Sequence, residues 1–180
     1  MAFDQSHRMG IQQFKADIAF RSLMEGMDEN LYVIPKYQRK YRWTKKQAVC
    51  LAESLICGLP IPPIYTCRNK NNQLEILDGQ QRMISLFFYY IGKCLDRGIN
   101  KVADFSEPVM ENESFREALE RQCSLEIFHV DLEDSEGNLI NMDYAGLPLE
   151  QKRIIDYTTI TVVEIKINEE AYRFSRILQF

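Results

Sequence analysis

The chain has no run of apolar residues long enough to cross a membrane as a helix, which needs about 18 or more of them. Residues 1–5 also lack the charged and then apolar pattern of a signal peptide. Histidine occurs only as His7 and His129, which lie far apart without a metal-ligand spacing. These absences predict a cytoplasmic protein without membrane contact, and they argue against a histidine-based catalytic centre or zinc site.

Cysteine is present without any recognisable pairing pattern. The five cysteines are an odd number and include no Cys-x-x-Cys pair. The sequence therefore indicates neither a disulfide framework nor a zinc site, and reduced structural thiols are expected in a cytosolic protein. The cysteines are Cys50, Cys57, Cys67, Cys94 and Cys123.

Length and composition indicate one globular domain over residues 1–180, with an ordinary hydrophobic fraction of 46%. The net charge of −4 argues against a generic non-specific DNA-binding protein, which would be basic. The charge is unevenly distributed, because residues 36–46 contain six cations and no acid, whereas acids gather around 107–120 and 131–136. A local cationic surface on an acidic protein favours one phosphate-bearing ligand held in place. The cations are Lys36, Arg39, Lys40, Arg42, Lys45 and Lys46.

Apolar periodicity and turn residues predict a mixture of helices and strands without internal repeats. The fold class expected is α+β, with a small mixed sheet and packed helices. The predicted helices span residues 11–26, 44–57, 80–97, 114–122, 149–156 and 169–178. The predicted strands span residues 31–34, 64–68, 74–77, 124–132, 139–142 and 157–167.

The sequence is organised around one predicted strand-to-helix junction, at residues 74–86. An apolar strand stops at Asp78-Gly79 and passes directly into a segment with helical spacing. The first N–H groups of a helix lack intrahelical acceptors and carry the positive end of its dipole, which suits an anion. Gln80, Gln81 and Arg82 add two carboxamides and a guanidinium at that point.

Each of these residues also has an ordinary structural interpretation. Asp78 alone is more typical of a helix N-cap than of a catalytic carboxylate. Gly79 alone is a turn residue, and a single Gln or Arg near a helix start is usually solvated. Because five such residues are concentrated at one junction with apolar sequence on both sides, we favour a ligand site here.

A second segment, residues 37–43, combines aromatic residues with cations in a predicted loop. For Tyr41 and Trp43, core packing and ligand contact are equally compatible with the sequence. For Arg39 we favour ligand contact, because burying an unpaired guanidinium would be costly.

Together, two segments resemble the N-terminal domain of GmrSD-type modification-dependent restriction and antiphage defence proteins, in the ParB/sulfiredoxin-like superfamily. The first is Ile-Pro-Lys-Tyr-Gln-Arg-Lys-Tyr-Arg-Trp at residues 34–43. The second is the Asp-Gly-Gln-Gln-Arg (DGQQR) string at residues 78–82, about 35 residues later. The Leu-Pro-rich segment 55–63 and the later segments 147–148 and 155–165 fit the same pattern.

The resemblance implies a ParB-like α/β domain that binds and hydrolyses a nucleotide, with a preference for GTP, in systems that restrict modified phage DNA. Asp78 and Arg82 are then the expected catalytic residues, and Asp78 is expected to hold Mg²⁺ or orient a water. Arg39 and Arg82 are expected to clamp phosphates, and Tyr37, Tyr41 or Trp43 to stack on a base. The residues expected to bind the nucleotide are Tyr37, Gln38, Arg39, Trp43, Gly79, Gln80, Gln81 and Arg82.

The sequence departs from the family pattern in two places. Family effectors carry a large helical second part, with a nuclease module in the restriction enzymes, whereas this sequence stops before it. Leu178 also stands where the family tends to have Asn. We therefore expect no nuclease activity from this chain alone, and a C-terminal effector or nuclease chain is an expected partner.

Two functions from different classes remain open at this point. The first is a nucleotide-binding sensor with NTP hydrolysis. The second is a non-enzymatic ParB-like module that binds DNA phosphates, or serves as an assembly surface, through the same loop and the basic segment 36–46. Steep salt dependence would distinguish DNA binding from a pocket for one nucleotide.

Overall fold

A computed structural model describes residues 11–35, 40–96, 98, 103–104 and 109–167. Within them lie five α-helices and eleven short or medium strands. The helices are α1 (Phe20–Asp28), α2 (Lys45–Ile56), α3 (Gln80–Ile91), α4 (Phe115–Gln122) and α5 (Leu149–Tyr157). The strands are β1 (Ile11–Ala19), β2 (Tyr32–Val33), β3 (Lys40–Tyr41), β4 (Ile64–Arg68), β5 (Leu74–Asp78), β6 (Lys93–Leu95), β7 (Ala103–Asp104), β8 (Leu125–Ile127), β9 (Asp131–Glu133), β10 (Leu139–Asn141) and β11 (Thr159–Ile167).

A five-stranded mixed sheet in the order β1-β11-β4-β5-β2 forms the largest β element. β11 runs antiparallel to β1 and parallel to β4, while β5 runs antiparallel to β4 and parallel to β2. Three two-stranded pairs, β3 with β7, β6 with β8 and β9 with β10, complete the described sheet structure. The predicted α+β class with a mixed sheet is confirmed, and the ParB/sulfiredoxin-like assignment stays a prediction.

Local signals correctly located several elements. Thr44 caps α2 through a capping box with Gln47, and Ser114 caps α4 in the same way with Glu117. β4 and β5, both predicted as strands, pair antiparallel as a hairpin, with Asn72 in a left-handed conformation at its turn. These elements were predictable because each depends on residues only a few positions apart.

The prediction of a helix over residues 11–26 was wrong in its first half. Residues 11–19 form β1, whose nine residues all pair with β11, from Ile11 opposite Ile167 to Ala19 opposite Thr159. The Thr161 hydroxyl also donates a hydrogen bond to the Asp17 carboxylate at 2.7 Å. A helix at this position would leave the edge of β11 unpaired, so long-range pairing outweighs the local apolar pattern.

The helix predicted over residues 80–97 is shorter than expected, because Gly92 takes a left-handed conformation and ends α3. The chain then turns directly into β6. The single strand predicted over residues 124–132 is two short strands, β8 and β9. The helix predicted over residues 169–178 lies outside the described residues.

Helix α3 is the centre of the core. Residues 83–89 are all buried, which is typical of a helix surrounded by other elements rather than lying on a surface. It packs against α1, α2, β6 and a 3₁₀ turn at Tyr144–Gly146. Because α3 is held on several sides, its N-terminus at Gln80 has a fixed position relative to the sheet.

The parallel pair β2 and β5 brings two sequence motifs to the same edge of the sheet. β5 ends at Asp78, where the Asp-Gly-Gln-Gln-Arg string begins, and β2 ends at Val33, immediately before the segment 34–43. Neighbouring parallel strands have their C-terminal ends on the same side of the sheet, so the two motifs begin next to each other. No helix among the described residues is long and apolar enough to span a membrane.

Candidate functional site

The junction between β5 and α3 depends on a glycine. Gly79 has φ 93° and ψ 10°, a left-handed conformation that side chains other than glycine rarely adopt. A Cβ atom at this position would lie 2.6 Å from Cδ1 of Ile64 and 3.0 Å from Nη2 of Arg82. Gly79 is itself the N-cap of α3, and Asp78 is the last residue of β5. The N-cap interpretation of Asp78 is therefore wrong.

A cleft of about 350 Å³ opens at this junction, lined by Trp43 and residues 77–82. It lies at the N-terminus of α3, whose first N–H groups have no acceptor within the helix. The cleft thus combines a positive helix end with polar side chains. The predicted site residues that it brings together are Asp78, Gly79, Gln80, Gln81, Arg82 and Trp43.

Gln80 lines this cleft and is buried, with 8% of the residue exposed. Its Nε2 is buried and has no hydrogen-bond partner among the described residues. A buried donor left unsatisfied costs about 1–3 kcal/mol. An acceptor from a bound molecule would remove that cost.

Arg82 lies on the same wall, with its guanidinium only partly engaged. Nη2 donates to the carbonyl oxygen of Pro63 at 3.1 Å and to the Asp78 carboxylate at 2.9 Å. Nε is buried and has no hydrogen-bond partner among the described residues. The contact with Pro63 could not be foreseen from the sequence, because nothing in the local pattern brings that carbonyl to the junction.

Gln81 uses its carboxamide differently from its neighbour. Oε1 accepts hydrogen bonds from the backbone N–H groups of Arg42 at 2.8 Å and Trp43 at 3.2 Å. Nε2 donates to the backbone carbonyl of Lys40 at 2.9 Å. The side chain therefore joins α3 to the segment that carries Trp43.

The two aromatic residues that the sequence left open have separate roles. Tyr41 is 2% exposed, its hydroxyl lies 2.7 Å from the Ser85 hydroxyl, and its ring meets Phe88 edge-on. Tyr41 therefore belongs to the core. Trp43 is half-buried, packs against the core with part of its side chain and also lines the cleft. Ser85, which is commonly an exposed residue at such a position, is buried and donates to the Gln81 carbonyl at 2.7 Å.

Three predicted nucleotide-binding residues, Tyr37, Gln38 and Arg39, lie outside the described residues. The described positions on either side are Pro35, which is buried, and Lys40, whose carbonyl is bound by Gln81. Lys40 is therefore held beside Gln81, one of the residues that line the cleft. The predicted roles of the three residues stay predictions.

The basic segment is partly neutralised. Lys45 donates to the Glu126 carboxylate at 3.0 Å and to the Ile127 carbonyl at 3.1 Å. Burial disfavours its charge, but the hydrogen bond to Glu126 and the nearby Cys94 and Glu126 outweigh this and raise the pKa of Lys45. Lys40, Arg42 and Lys46 are exposed on the same segment.

No cluster of three or more His, Cys, Asp or Glu side chains suited to a metal occurs among the described residues. Asp78 is the single carboxylate that lines the cleft there, and its side chain is 70% exposed. One exposed carboxylate fits a Mg²⁺ ion that takes its other ligands from water and substrate phosphates, which is how this ion is usually bound.

The fold and the cleft define an α+β protein whose candidate site lies where a central strand passes into a buried helix. A model of the family described as "GmrSD restriction endonuclease, N-terminal domain" matches residues 20–177. The chain belongs to this family, as its two motifs predicted, and the membership supports a defence-related role in a restriction system. The comparisons with curated proteins and with solved structures gave no match.

Proposed function

We propose that the protein binds a nucleoside triphosphate in the cleft and acts as the nucleotide-dependent regulatory part of a restriction-type defence system. The observation that carries this proposal is the buried Nε2 of Gln80 at the N-terminus of α3, for which the described part of the chain offers no hydrogen-bond partner. A helix N-terminus together with an unsatisfied donor favours an anionic ligand with several acceptor oxygens. A phosphate chain has this chemistry.

The glycine at the junction supports a phosphate ligand further. Gly79 adopts the left-handed turn that places the start of α3 at the cleft, and the Arg82 guanidinium packs against it there. Arg82 supplies a guanidinium whose Nε–H has no partner within the described residues, and such a donor suits a phosphate oxygen. Trp43 offers an aromatic wall within the same cleft, against which a base can stack.

The proposed reaction is hydrolysis, in which water attacks the terminal phosphorus and the bond to the leaving nucleoside diphosphate breaks. Phosphoryl transfer mainly requires positioning and neutralisation of charge. Arg82 neutralises charge on the transferred group, and Asp78 orients the attacking water or holds Mg²⁺. That ion, when bound, neutralises phosphate charge. We propose GTP as the preferred nucleotide on the basis of the family resemblance.

The proposal does not assign DNA cleavage to this chain. The family description belongs to the N-terminal domain of a restriction endonuclease, and the DNA-cleaving part is proposed to be a separate effector segment or partner chain. Tyr37, Gln38 and Arg39 are proposed to complete the nucleotide site from the neighbouring loop.

Isothermal titration of the protein with GTP, ATP and CTP in Mg²⁺ tests the proposal. We expect saturable binding that depends on the base. Gln80→Leu and Arg82→Ala should each weaken it by about tenfold or more, since one lost charge-assisted hydrogen bond is worth roughly 1.5–3 kcal/mol. Phosphate release should fall in the Arg82→Ala variant.

A matched control is Gln151→Leu, which changes an exposed glutamine on α5 that does not line the cleft. Its affinity should equal that of the unaltered protein. Absence of binding by a folded, unaltered protein would refute the nucleotide site.

Exposed cations beside the cleft favour a second candidate, a module that binds nucleic-acid phosphates. Lys40, Arg42 and Lys46 are all exposed on the segment that leads into α2. Binding of duplex DNA through these cations should weaken steeply with added salt, whereas nucleotide binding in one pocket should not. Fluorescence anisotropy with labelled DNA over a salt series distinguishes the two candidates.

A further inference from the structure

We propose that Gln81 is a positioning residue, which fixes Trp43 as one wall of the cleft rather than binding the ligand itself. This inference rests on the proposed nucleotide site for its effect on affinity. The hydrogen bonds that hold Trp43 are present in the protein without ligand, so they can be tested without one. The two adjacent glutamines of the motif then have different roles, because Gln80 binds the ligand and Gln81 positions Trp43.

The hydrogen bonds of Gln81 support this role. A carboxamide offers two acceptor lone pairs and two N–H donors. Both lone pairs are used by the backbone N–H groups of Arg42 and Trp43, and one donor is used by the carbonyl of Lys40. At most one N–H group is left for a ligand. Gln80, by contrast, has an Nε2 without any partner among the described residues.

A second attachment holds the same segment one turn further along α3. The Tyr41 hydroxyl lies 2.7 Å from that of Ser85, which itself donates to the Gln81 carbonyl at 2.7 Å. Tyr41 also packs edge-on against Phe88, with ring centroids 5.2 Å apart. Residues 40–43 are therefore attached to α3 by side chains from two successive turns.

Trp43 lies between two fixed points. Its backbone N–H is bound by Gln81, and the next residue, Thr44, caps α2 through its capping box with Gln47. Helix α2 packs against α3, so the two points belong to one packed unit. Removing the bonds of Gln81 takes away the acceptor of the Trp43 backbone N–H and leaves the helix cap intact.

The consequence for binding is indirect. A ligand in the cleft contacts Gln80 and Arg82 on α3 and Trp43 on the tethered segment. If Gln81 acts only through Trp43, then its removal should lower affinity only when Trp43 is present. Non-additive effects of two substitutions reveal this kind of coupling.

The experiment uses intrinsic fluorescence, because Trp43 is the single tryptophan of the chain. Gln81→Met removes all three hydrogen bonds with little change in shape. Without ligand, we expect this variant to shift the Trp43 emission to longer wavelength and to increase its quenching by iodide. Gln81→Glu keeps the acceptor and loses the donor to Lys40, so it should shift the emission less.

Affinity is then measured by titration calorimetry with GTP and ATP in Mg²⁺. Gln81→Met should weaken binding by about tenfold in the unaltered background, equivalent to roughly 1.4 kcal/mol. In a Trp43→Leu background the same substitution should change affinity by less than about twofold. Gln151→Met on α5 serves as the matched control, with unchanged emission and affinity.

Several outcomes would overturn the inference. Unchanged emission and quenching in a Gln81→Met variant that is folded by circular dichroism would show that no tether holds Trp43. An equal loss of affinity with and without Trp43 would show that Gln81 contacts the ligand directly. If Gln81→Met does not fold, Gln81→Ala, which also removes all three hydrogen bonds, is measured instead, and unchanged emission in that folded variant overturns the tether.

The two proposals can fail separately. If the unaltered protein binds no nucleotide, the proposed function fails. The emission of the ligand-free variants still decides whether Gln81 positions Trp43, with a shift supporting the tether and no shift overturning it.

Discussion

The Arg82 guanidinium donates a hydrogen bond of 2.9 Å to the Asp78 carboxylate, four residues earlier and at the mouth of the cleft. The two partners differ in exposure, since the Asp78 side chain is 70% exposed and that of Arg82 only 19%. An exposed carboxylate therefore occupies part of the guanidinium that the proposed phosphate requires. Ligand and Asp78 compete for Arg82 unless a cation binds the carboxylate.

This competition predicts the effect of Asp78→Asn. Without Mg²⁺, the variant should bind nucleotide several-fold more tightly, because Arg82 no longer has a charged partner. Phosphate release in Mg²⁺ should be lost. The free energy of unfolding should change by less than about 1 kcal/mol, the usual range for an exposed ion pair. Titration calorimetry in EDTA and in Mg²⁺ measures both affinities.

A matched control is Glu25→Gln, which breaks another ion pair at a spacing of four residues, with Arg21 on α1. Neither residue lines the cleft, so nucleotide affinity should stay unchanged. Weaker binding of Asp78→Asn in EDTA would contradict the competition.

Gly79 and Gly92, at the two ends of α3, allow backbone strain to be separated from close packing. Both have left-handed φ values, 93° and 69°. A Cβ at Gly92 meets no atom within 4 Å, whereas one at Gly79 lies 2.6 Å from Ile64. Gly92→Ala should therefore cost about 1–2 kcal/mol of strain, and Gly79→Ala about 1–3 kcal/mol more from overpacking.

Urea denaturation monitored by circular dichroism measures this difference. Equal losses of stability in the two variants would mean that the contact with Ile64 relaxes at no cost. Nucleotide affinity provides a second measurement, because only Gly79 lies in the cleft. Gly92→Ala should leave affinity unchanged.

The candidate site was largely predictable because its main residues are contiguous. Residues 78–82 follow one another through a single turn, so any strand-to-helix junction there brings them together. The different hydrogen bonding of individual residues in this string was not predictable. Gln80 and Gln81 are adjacent and chemically identical. Gln81 bonds to the backbone of Lys40 and Trp43, whereas the buried Nε2 of Gln80 has no partner among the described residues, and this difference depends on where the distant segment lies.

The elements of the fold were likewise predictable only where nearby residues determine them. The helices that begin after Thr44 and Ser114 were correctly located, and each begins with a capping box between residues three apart. Strand β1 was misassigned, because its conformation is decided by β11, about 150 residues further along the chain. Local spacing at residues 11–19 carries no information about that partner.

A buried pair away from the cleft makes a prediction for stability. The Tyr144 hydroxyl donates to Asp156, which is 8% exposed, at 2.5 Å. Burial, and then the bond to Asp156, raises the pKa of Tyr144, so the hydroxyl keeps its proton and stays a donor. Tyr144→Phe removes the donor and leaves the buried carboxylate with Arg21 at 3.9 Å.

We expect Tyr144→Phe to lower the free energy of unfolding by about 1–3 kcal/mol, the cost of an unsatisfied buried group. Tyr157→Phe is the matched control, because Tyr157 is 76% exposed on the same helix as Asp156. Thermal and urea denaturation should separate the two variants clearly. A loss as small in Tyr144→Phe as in the control would show that water replaces the hydroxyl.

The lowered pKa of Glu113 predicts how the stability of the protein depends on pH. A hydrogen bond from Arg121 at 2.7 Å, and then one from the backbone N–H of Met110 at 2.8 Å, lower its pKa from 4.5 to about 2. Because the folded pKa is depressed, this contribution to stability is fully present above about pH 4.5 and is lost as pH falls towards 2. Carboxyl NMR should show titration of Glu113 near pH 2. Arg121→Met should move that midpoint upward. The control Arg153→Met, on α5, should leave it unchanged. A midpoint near 4.5 for Glu113 in the unaltered protein would contradict its pairing with Arg121.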